Sequence, residues 1–425
     1  MLSTLQPRIT LCLTAGVALV TRSGHATGFD LPDQDAFAVA RGMAIVATAD
    51  NPSAIYYNPA GISQLRGHNV RGGLYGLYLS TSYDSPNGNS SDNEAPWHGV
   101  PQFFYTYGPE SIPVSFGLGV YSPFGLSMEW PHDTGFRTLA TKGSLNYMTI
   151  NPVVAWQVLP SLSVGAGVSA NYSKVDLRQG LAWPAQGYDE FRFEGDGWDV
   201  GYSFGILWKA CEKVSLGATF RSTTTVDLDG STRFWNSAAL PLPGGGAVPA
   251  FPEQEVDATA EFPFPLKMIV GISYRPTEAW NIEFNADYTD WSRLRTVTVE
   301  QAAAFPPLLP QNIPLALNWD ASWYFEWGVT RYFENGWHLS GGYIFNQNSV
   351  PDDNYNPLVA DMDRHFWSIG TGRKWDRLSM DVAYQFGYGP TRTVSGSAPS
   401  ATGQSADGDY EFISHALMLS VGFQF

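Results

Sequence analysis

The sequence predicts an all-β protein: a fourteen-stranded antiparallel transmembrane β-barrel plugged by an N-terminal hatch. Three observations predict it. Long runs alternate apolar and polar residues at period two, short and long connections alternate between those runs, and tryptophans sit beside the short connections.

The alternation is clearest where Leu162, Val164, Ala166, Val168, Ala170 and Tyr172 share one face. Ser163, Gly165, Gly167, Ser169, Asn171 and Ser173 occupy the other. The pattern recurs at 214–221, 280–289 and 378–387, and the chain ends on Leu417, Leu419, Val421, Phe423 and Phe425. A soluble sandwich gives the same signal per strand, so length must decide. Several runs exceed about ten residues, which is long for a globular sheet and right for tilted spanning strands.

Short connections are expected near 109–112, 159–161, 210–213, 276–279, 333–336 and 375–377. Long ones are expected near 84–98, 125–142, 179–195, 230–256, 300–318, 349–362 and 391–408. Six short turns between seven long loops make fourteen strands with both chain ends of the barrel on the short-turn side. That is the layout of an outer-membrane barrel, with short periplasmic turns and longer external loops. Trp156, Trp208, Trp280, Trp337 and Trp375 lie near short turns and read as an interfacial girdle.

Composition agrees. Charged residues make up 15 % of the chain and aromatics 14 %, with 43 Gly and 15 Trp, a poor recipe for a soluble surface. No apolar run after residue 26 reaches the roughly eighteen residues of a spanning helix. The formal charge of −16 argues against nucleic acid as a partner.

Residues 1–26 read as a secretory leader: Arg8, an apolar core from Ile9 to Val20, and Gly24-His25-Ala26 before the cut. Its removal takes Arg8, Arg22 and Cys12 with it, moves the charge from −16 to −18, and leaves Cys211 without an intrachain partner. Residues 27–68 form the expected hatch and 69–425 the barrel. Fourteen strands enclose a lumen too wide for wall side chains to fill. The segment before the first strand carries apolar Ala36, Phe37, Val39, Ile45, Val46 and Ile55, and two turn-forming pairs, Asn51-Pro52 and Asn58-Pro59. Inside a barrel its irregular backbone can be satisfied against the wall.

The order Gly28-Phe29, Arg41-Gly42, Ala49-Asp50-Asn51-Pro52-Ser53 and Tyr56-Tyr57-Asn58-Pro59-Ala60-Gly61 resembles the FadL/TodX family. Tyr121-Ser122-Pro123-Phe124-Gly125, Trp130, Ile150-Asn151-Pro152, Thr289-Asp290-Trp291-Ser292 and the terminal Phe425 extend the resemblance over the mature chain. It implies passive outer-membrane transport of long-chain fatty acids or hydrophobic hydrocarbons, with no cofactor, metal or catalytic residue. It also implies capture in a groove among the loops at 179–195 and 230–256, a pocket near the N-terminus, and sideways exit where the third strand kinks.

Onto this sequence the resemblance places Asn51, Pro52, Asn58, Pro59 and Ala60 in the hatch. Phe29, Leu31, Trp183, Phe191, Arg192, Phe234, Trp235 and Phe251 would meet ligand. The third strand is expected at about 113–124, with Gly117, Gly119 and Pro123 loosening it at the lateral opening. Loop residues Leu181, Leu240, Leu242, Phe305, Leu308, Leu309, Ile313, Leu315 and Leu317 favour a greasy ligand. A fatty-acid head group would need a cation, with Arg192 and Arg364 the candidates; fatty acid against neutral hydrocarbon stays open. Expected partners are hydrophobic small molecules, outer-membrane lipid and lipopolysaccharide, with the protein a monomer.

Two alternatives were weighed. Gly201-Tyr202-Ser203-Phe204-Gly205 matches a nucleophile pattern, as in a barrel phospholipase, but lies within the alternating run Trp198 to Trp208 and has no histidine placed beside it. A non-specific porin conflicts with the hatch. Asp352, Asp353, Asp361 and Asp363 lack calcium-loop spacing and read as a solvated acidic face.

Overall fold

The structure is a computed structural model that describes residues 28–183, 188–241, 245–305 and 309–425. The expected leader and loop residues Leu242 and Leu308 lie outside the described residues. The first five barrel strands are β1 (Gly67–Asp84), β2 (Trp97–Gly108), β3 (Val114–Tyr121, resuming at Gly125–Glu129), β4 (Lys142–Leu159) and β5 (Leu162–Gln179). Next come β6 (Asp189–Cys211), β7 (Val214–Arg221 and Thr224–Asn236), β8 (Phe251–Phe264 and Lys267–Thr277) and β9 (Trp280–Thr289 and Thr296–Gln301). The last five are β10 (Asn312–Ala316 and Ser322–Tyr332), β11 (Trp337–Asn346), β12 (Arg364–Lys374), β13 (Leu378–Val394) and β14 (Gly408–Gln424).

Each strand pairs antiparallel with its sequence neighbour, and β1 closes on β14 from Asn69–Gln424 to Asp84–Asp409. Closure pairs the backbone of both terminal strands, as a sheet in hydrocarbon requires. All six expected short turns and all seven expected long connections occur between these strands, although β3, β6, β7, β8 and β10 run several residues into the expected loop spans.

Polarity is inverted relative to a soluble sheet. Outward Val200 and Leu417 are 72 % and 60 % exposed, whereas Asn281, Asn285 and Thr289 face the lumen and are buried. The five girdle tryptophans point outward, each at least 40 % exposed. Trp130, Trp291 and Trp319 are buried inside.

Inside the barrel lie α1 (Ala36–Ala40), α2 (Ala54–Tyr57) and a 3-10 turn, Pro59–Gln64. Such short helices are not stable alone; theirs is a packed existence, with every residue of α1 and α2 buried.

The third strand corrects one expectation. Gly117 pairs with Thr106 and Val153, and Gly119 with Phe104 and Asn151, so the ladder is regular at both. The interruption falls at Ser122-Pro123-Phe124. A Cβ at Gly117 would stand 2.8 Å from Ile55 Cδ1, and one at Gly119 2.8 Å from Ile55 Cγ2. These glycines admit the hatch side chain rather than bend the strand.

In vesicles of brominated phospholipid, quenching should fall on the five girdle tryptophans and spare Trp130, Trp291 and Trp319. Trp→Phe variants read by fluorescence check the assignment; equal quenching of Trp291 would contradict it.

Candidate hatch seat and lumenal ligand site

Three ion-pair groups fix the hatch to the wall. Asp35 caps α1 by accepting from the Phe37 amide at 3.0 Å, and also pairs with Arg71 of β1. Arg71 reaches Asp381 of β13 at 2.8 Å, and His338 Nε2 of β11 approaches the same carboxylate at 3.0 Å. Arg41 pairs with Glu283 of β9 at 3.3 Å, and that carboxylate accepts the Ala47 amide at 2.7 Å. Lys267 of β8 lies between Asp30 of the hatch and Asp287 of β9, 2.9 Å from the latter. These side chains are nearly inaccessible, so removing one partner leaves a buried charge at a cost of roughly 3–5 kcal/mol.

The two Asn-Pro pairs act locally. Asn51 Oδ1 accepts from the Ser53 amide at 2.8 Å and the Ser53 hydroxyl at 2.6 Å, closing the turn before α2. Asn58 Nδ2 donates to Val46 O at 2.9 Å and to Ile206 O of β6 at 3.0 Å, while its Oδ1 accepts the Ala60 amide at 3.2 Å. Pro59 opens the 3-10 turn, where its missing N–H costs nothing. The wall is cut away here: a Cβ at Gly205 would lie 2.2 Å from Asn58 Oδ1, and one at Gly165 2.5 Å from the Ala60 nitrogen. Gly42, at φ +59°, makes the corresponding left-handed turn beside Gly342 of β11.

Asp33 of the hatch is buried and accepts from Gln385 Nε2 at 3.3 Å. Burial pushes its carboxyl up to about 7; the Gln385 hydrogen bond and Lys267 oppose this, and Asp30 adds to it.

At the break in β3 the chain turns inward and pairs with the N-terminal segment. Leu31 N donates to Pro123 O at 2.8 Å, and Gly125 N donates to Phe29 O at 3.0 Å. The Phe29 ring is enclosed by Trp291 at 4.8 Å, Trp319 at 5.6 Å, Phe262 at 5.9 Å, and Phe124 and Phe264 at 6.0 Å. Against this aromatic collar lies an apolar chamber of about 50 Å³ lined by Leu126, Leu145, Val175, Leu177, Leu315 and Leu358 among others. A polar cavity of about 50 Å³ also meets the collar, lined by Tyr121, Pro123, Asn151, Ser203, Arg221 and Lys267. The β2–β3 ladder runs only from Phe103–Val120 to Tyr107–Phe116, so Trp97–Gln102 have no ladder partner on β3. The wall is unpaired beside the collar.

Several expected ligand residues meet. Phe29, Phe191 and Phe234 belong to one buried cluster, Phe251 packs on Phe234 at 6.1 Å, and Leu31 borders Gly125. Others do not. Arg192 lies on the opposite face of β6 from Phe191, paired with Asp176 at 2.8 Å and Glu194 at 2.6 Å. Trp235 stacks on Tyr188 and alternates with inward Phe234. Trp183 is 40 % exposed. Arg364 donates to Ala360 O at 2.9 Å, yet it lines a separate cavity together with Asp30 and Leu31.

The acidic loop also differs from expectation. Asp361 is fully buried, accepting from the Gly28 amide at 3.1 Å and the Ser349 hydroxyl at 3.0 Å, because it ties the loop to the hatch's first described residue. Among the described residues no cluster of His, Cys, Asp or Glu forms a metal site. Gly201 to Gly205 lie inside β6, paired with β5, with no elbow.

Sequence reasoning missed Phe124, Phe262, Phe264 and Trp319 as collar residues. A signal was present. Lumen-facing positions of β5 run polar or small from Ser163 to Ser173, then turn apolar at Val175 and Leu177. That change along one face marks where the hatch ends and the chamber begins.

A closed fourteen-stranded barrel with an apolar chamber beside an unpaired stretch of wall defines a class of outer-membrane transport protein rather than an enzyme. Residues 17–425 match the family described as "Outer membrane protein transport protein (OMPP1/FadL/TodX)", and the chain belongs to it. It is 23 % identical over 427 residues to the "Long-chain fatty acid transport protein" of Escherichia coli K12, covering 90 % of this chain and 92 % of that one. Among solved structures, a Pseudomonas aeruginosa FadL homologue superposes with a TM-score of 0.81 at 17 % identity, covering 94 % of this chain and all of the other. The P. putida toluene transporter TodX gives 0.75 at 17 % identity, covering 93 % and 99 %. At this identity the structural likeness carries the fold. The protein resides in the outer membrane.

Two outcomes test the seat. Asn58→Ala should destabilise the hatch by about 1–3 kcal/mol by orphaning the Val46 and Ile206 carbonyls, read from amide-exchange protection of residues 45–64. Asp33 favours its neutral form, so its contribution is complete below about 4 and is lost as pH rises through about 7. Hatch protection factors should fall from about pH 4 to about pH 7 and level off above, and Asp33→Asn should flatten that fall.

Proposed function

We propose that the protein carries hydrophobic molecules inward by diffusion. External loops capture the ligand, the apolar chamber holds it, and it leaves sideways through the wall at the break in β3 with the hatch in place. The observation that carries this reading is the position of the chamber. It abuts the Phe29 collar, and the collar abuts the unpaired β2–β3 wall. A ligand on this route never crosses the hatch's ion pairs, and an apolar molecule has no reason to enter them. The relatives' names extend the reading to fatty acids on one side and toluene on the other.

One feature favours a ligand with an anionic end. Arg221 lines the polar cavity, donates to the Tyr56 carbonyl and lies 3.9 Å over the Tyr56 ring. Among the described residues no carboxylate stands within ion-pair distance of it, whereas Arg192, the expected head-group residue, is committed on the outer face.

The test is permeation into liposomes bearing the folded protein, comparing a long-chain fatty acid, toluene and a hydrophilic sugar. Faster entry of either hydrophobic compound with the sugar excluded is expected, and free passage of the sugar would overturn the proposal. Arg221→Gln should slow the fatty acid several-fold and leave toluene unchanged. Asn58→Ala with Pro59→Ala should lower uptake without reducing barrel abundance, because a loosened hatch no longer holds Phe29 in the collar; unchanged uptake would count against the motif's role in shaping the hatch.

A further inference from the structure

We propose that the periplasmic rim of β9 to β12 carries two built stations for phospholipid phosphates. The first is Arg331 of β10, whose guanidinium lies 5.1 Å from the Trp280 ring and 5.7 Å from the Phe333 ring. The second is Arg373 of β12, 5.6 Å from Trp337 and 5.2 Å from Trp375. Each arginine stands directly opposite its tryptophan across the ladder: Trp280 faces Arg331, and Trp337 faces Arg373. Both sit at the short-turn ends of their strands, with side chains on the lipid face.

Neither arginine has an acidic partner. Among the described residues no carboxylate lies within 4.0 Å of either guanidinium, and Asp376 of the adjacent turn reaches Arg377 instead, at 4.0 Å. Arg373 Nε is buried and makes no hydrogen bond within the chain, so an external anion would meet only the terminal nitrogens of the guanidinium.

Charge is also distributed by height. In a chain of net charge −16, the outward residues on the external portions of β6 to β8 include exposed Asp196, Asp227, Asp229 and Glu261. Lipid-facing arginines paired with tryptophan appear at the opposite rim. Tryptophan sits at headgroup level, and a guanidinium held beside its ring offers a planar fork of N–H donors to a phosphate. The phosphodiester of a periplasmic-leaflet phospholipid, its acyl chains running along the apolar barrel face, fits that geometry. The two stations would fix the depth and rotation of the barrel relative to that leaflet.

The test counts lipids retained by folded full-length protein, using native mass spectrometry after exchange into detergent with phosphatidylglycerol or the phosphate-free monogalactosyl diacylglycerol. Wild type should retain phosphatidylglycerol and release the galactolipid. Arg331→Gln and Arg373→Gln should each lose about half of the retained phospholipid, and the double variant nearly all. Arg→Lys at either site should retain less than wild type, because lysine keeps the charge without the fork. Folding is checked for every variant by heat-modifiable gel mobility. Equal retention by the folded double variant, or equal retention of the galactolipid, would overturn the proposal and leave the arginines as stacking groups only.

Discussion

Everything in this molecule depends on satisfying an irregular backbone at membrane depth. The hatch has no extended ladder of its own, and lipid offers no hydrogen bonds, so each polar group must find a partner in the wall. The solution is visible residue by residue. Asp35 meets Arg71 on the β1–β13 side of the barrel, and Arg41 and Asp30 meet Glu283 and Lys267 on the adjacent strands β9 and β8. Between them, wall glycines let the hatch backbone approach closely, and Asn58 bonds the wall and the hatch at once. A seat made of buried pairs is specific more than it is strong, since each pair offsets its own desolvation.

That arrangement divides the lumen by height. Below, polar wall residues face the hatch. Above, the same strands present Val175, Leu177, Phe262 and Leu315 to an apolar chamber. The first residues of the hatch join the zones: Phe29 forms the collar while Asp30 enters an ion-pair group and Leu31 pairs with the broken strand. A chamber bounded underneath by satisfied charges offers an apolar molecule no favourable way down. The unpaired wall beside Pro123 is the nearby alternative that crosses no buried charge.

The barrel was legible because its signals are local and repeated. Period-two alternation, turn-adjacent tryptophans and the spacing of connections all report one strand at a time, so small errors do not accumulate. The hatch was legible through Asn51-Pro52 and Asn58-Pro59. What the sequence hid were relations between distant segments. Gly117 and Gly119 read as weak points of a strand, yet the side chain they accommodate, Ile55, lies some sixty residues upstream. Arg192 and Trp235 followed apolar loops by position, but β6 and β7 extend as regular strands through those positions and turn both outward, so parity decides against them. Asp361 read as solvated because nothing nearby in sequence reveals the Gly28 amide that buries it.

The most direct measurement is to lock the hatch and ask whether transport survives. Cysteines at 55 and 119, in a Cys211→Ser background, would tie Ile55's position on α2 to β3, where a Cβ at Gly119 would stand 2.8 Å from Ile55 Cγ2. The account expects the oxidised protein to carry its hydrophobic ligand at nearly the rate of the reduced form, because the proposed exit is in the wall. Loss of transport on oxidation with recovery on reduction would contradict it, and would place the exit through the hatch.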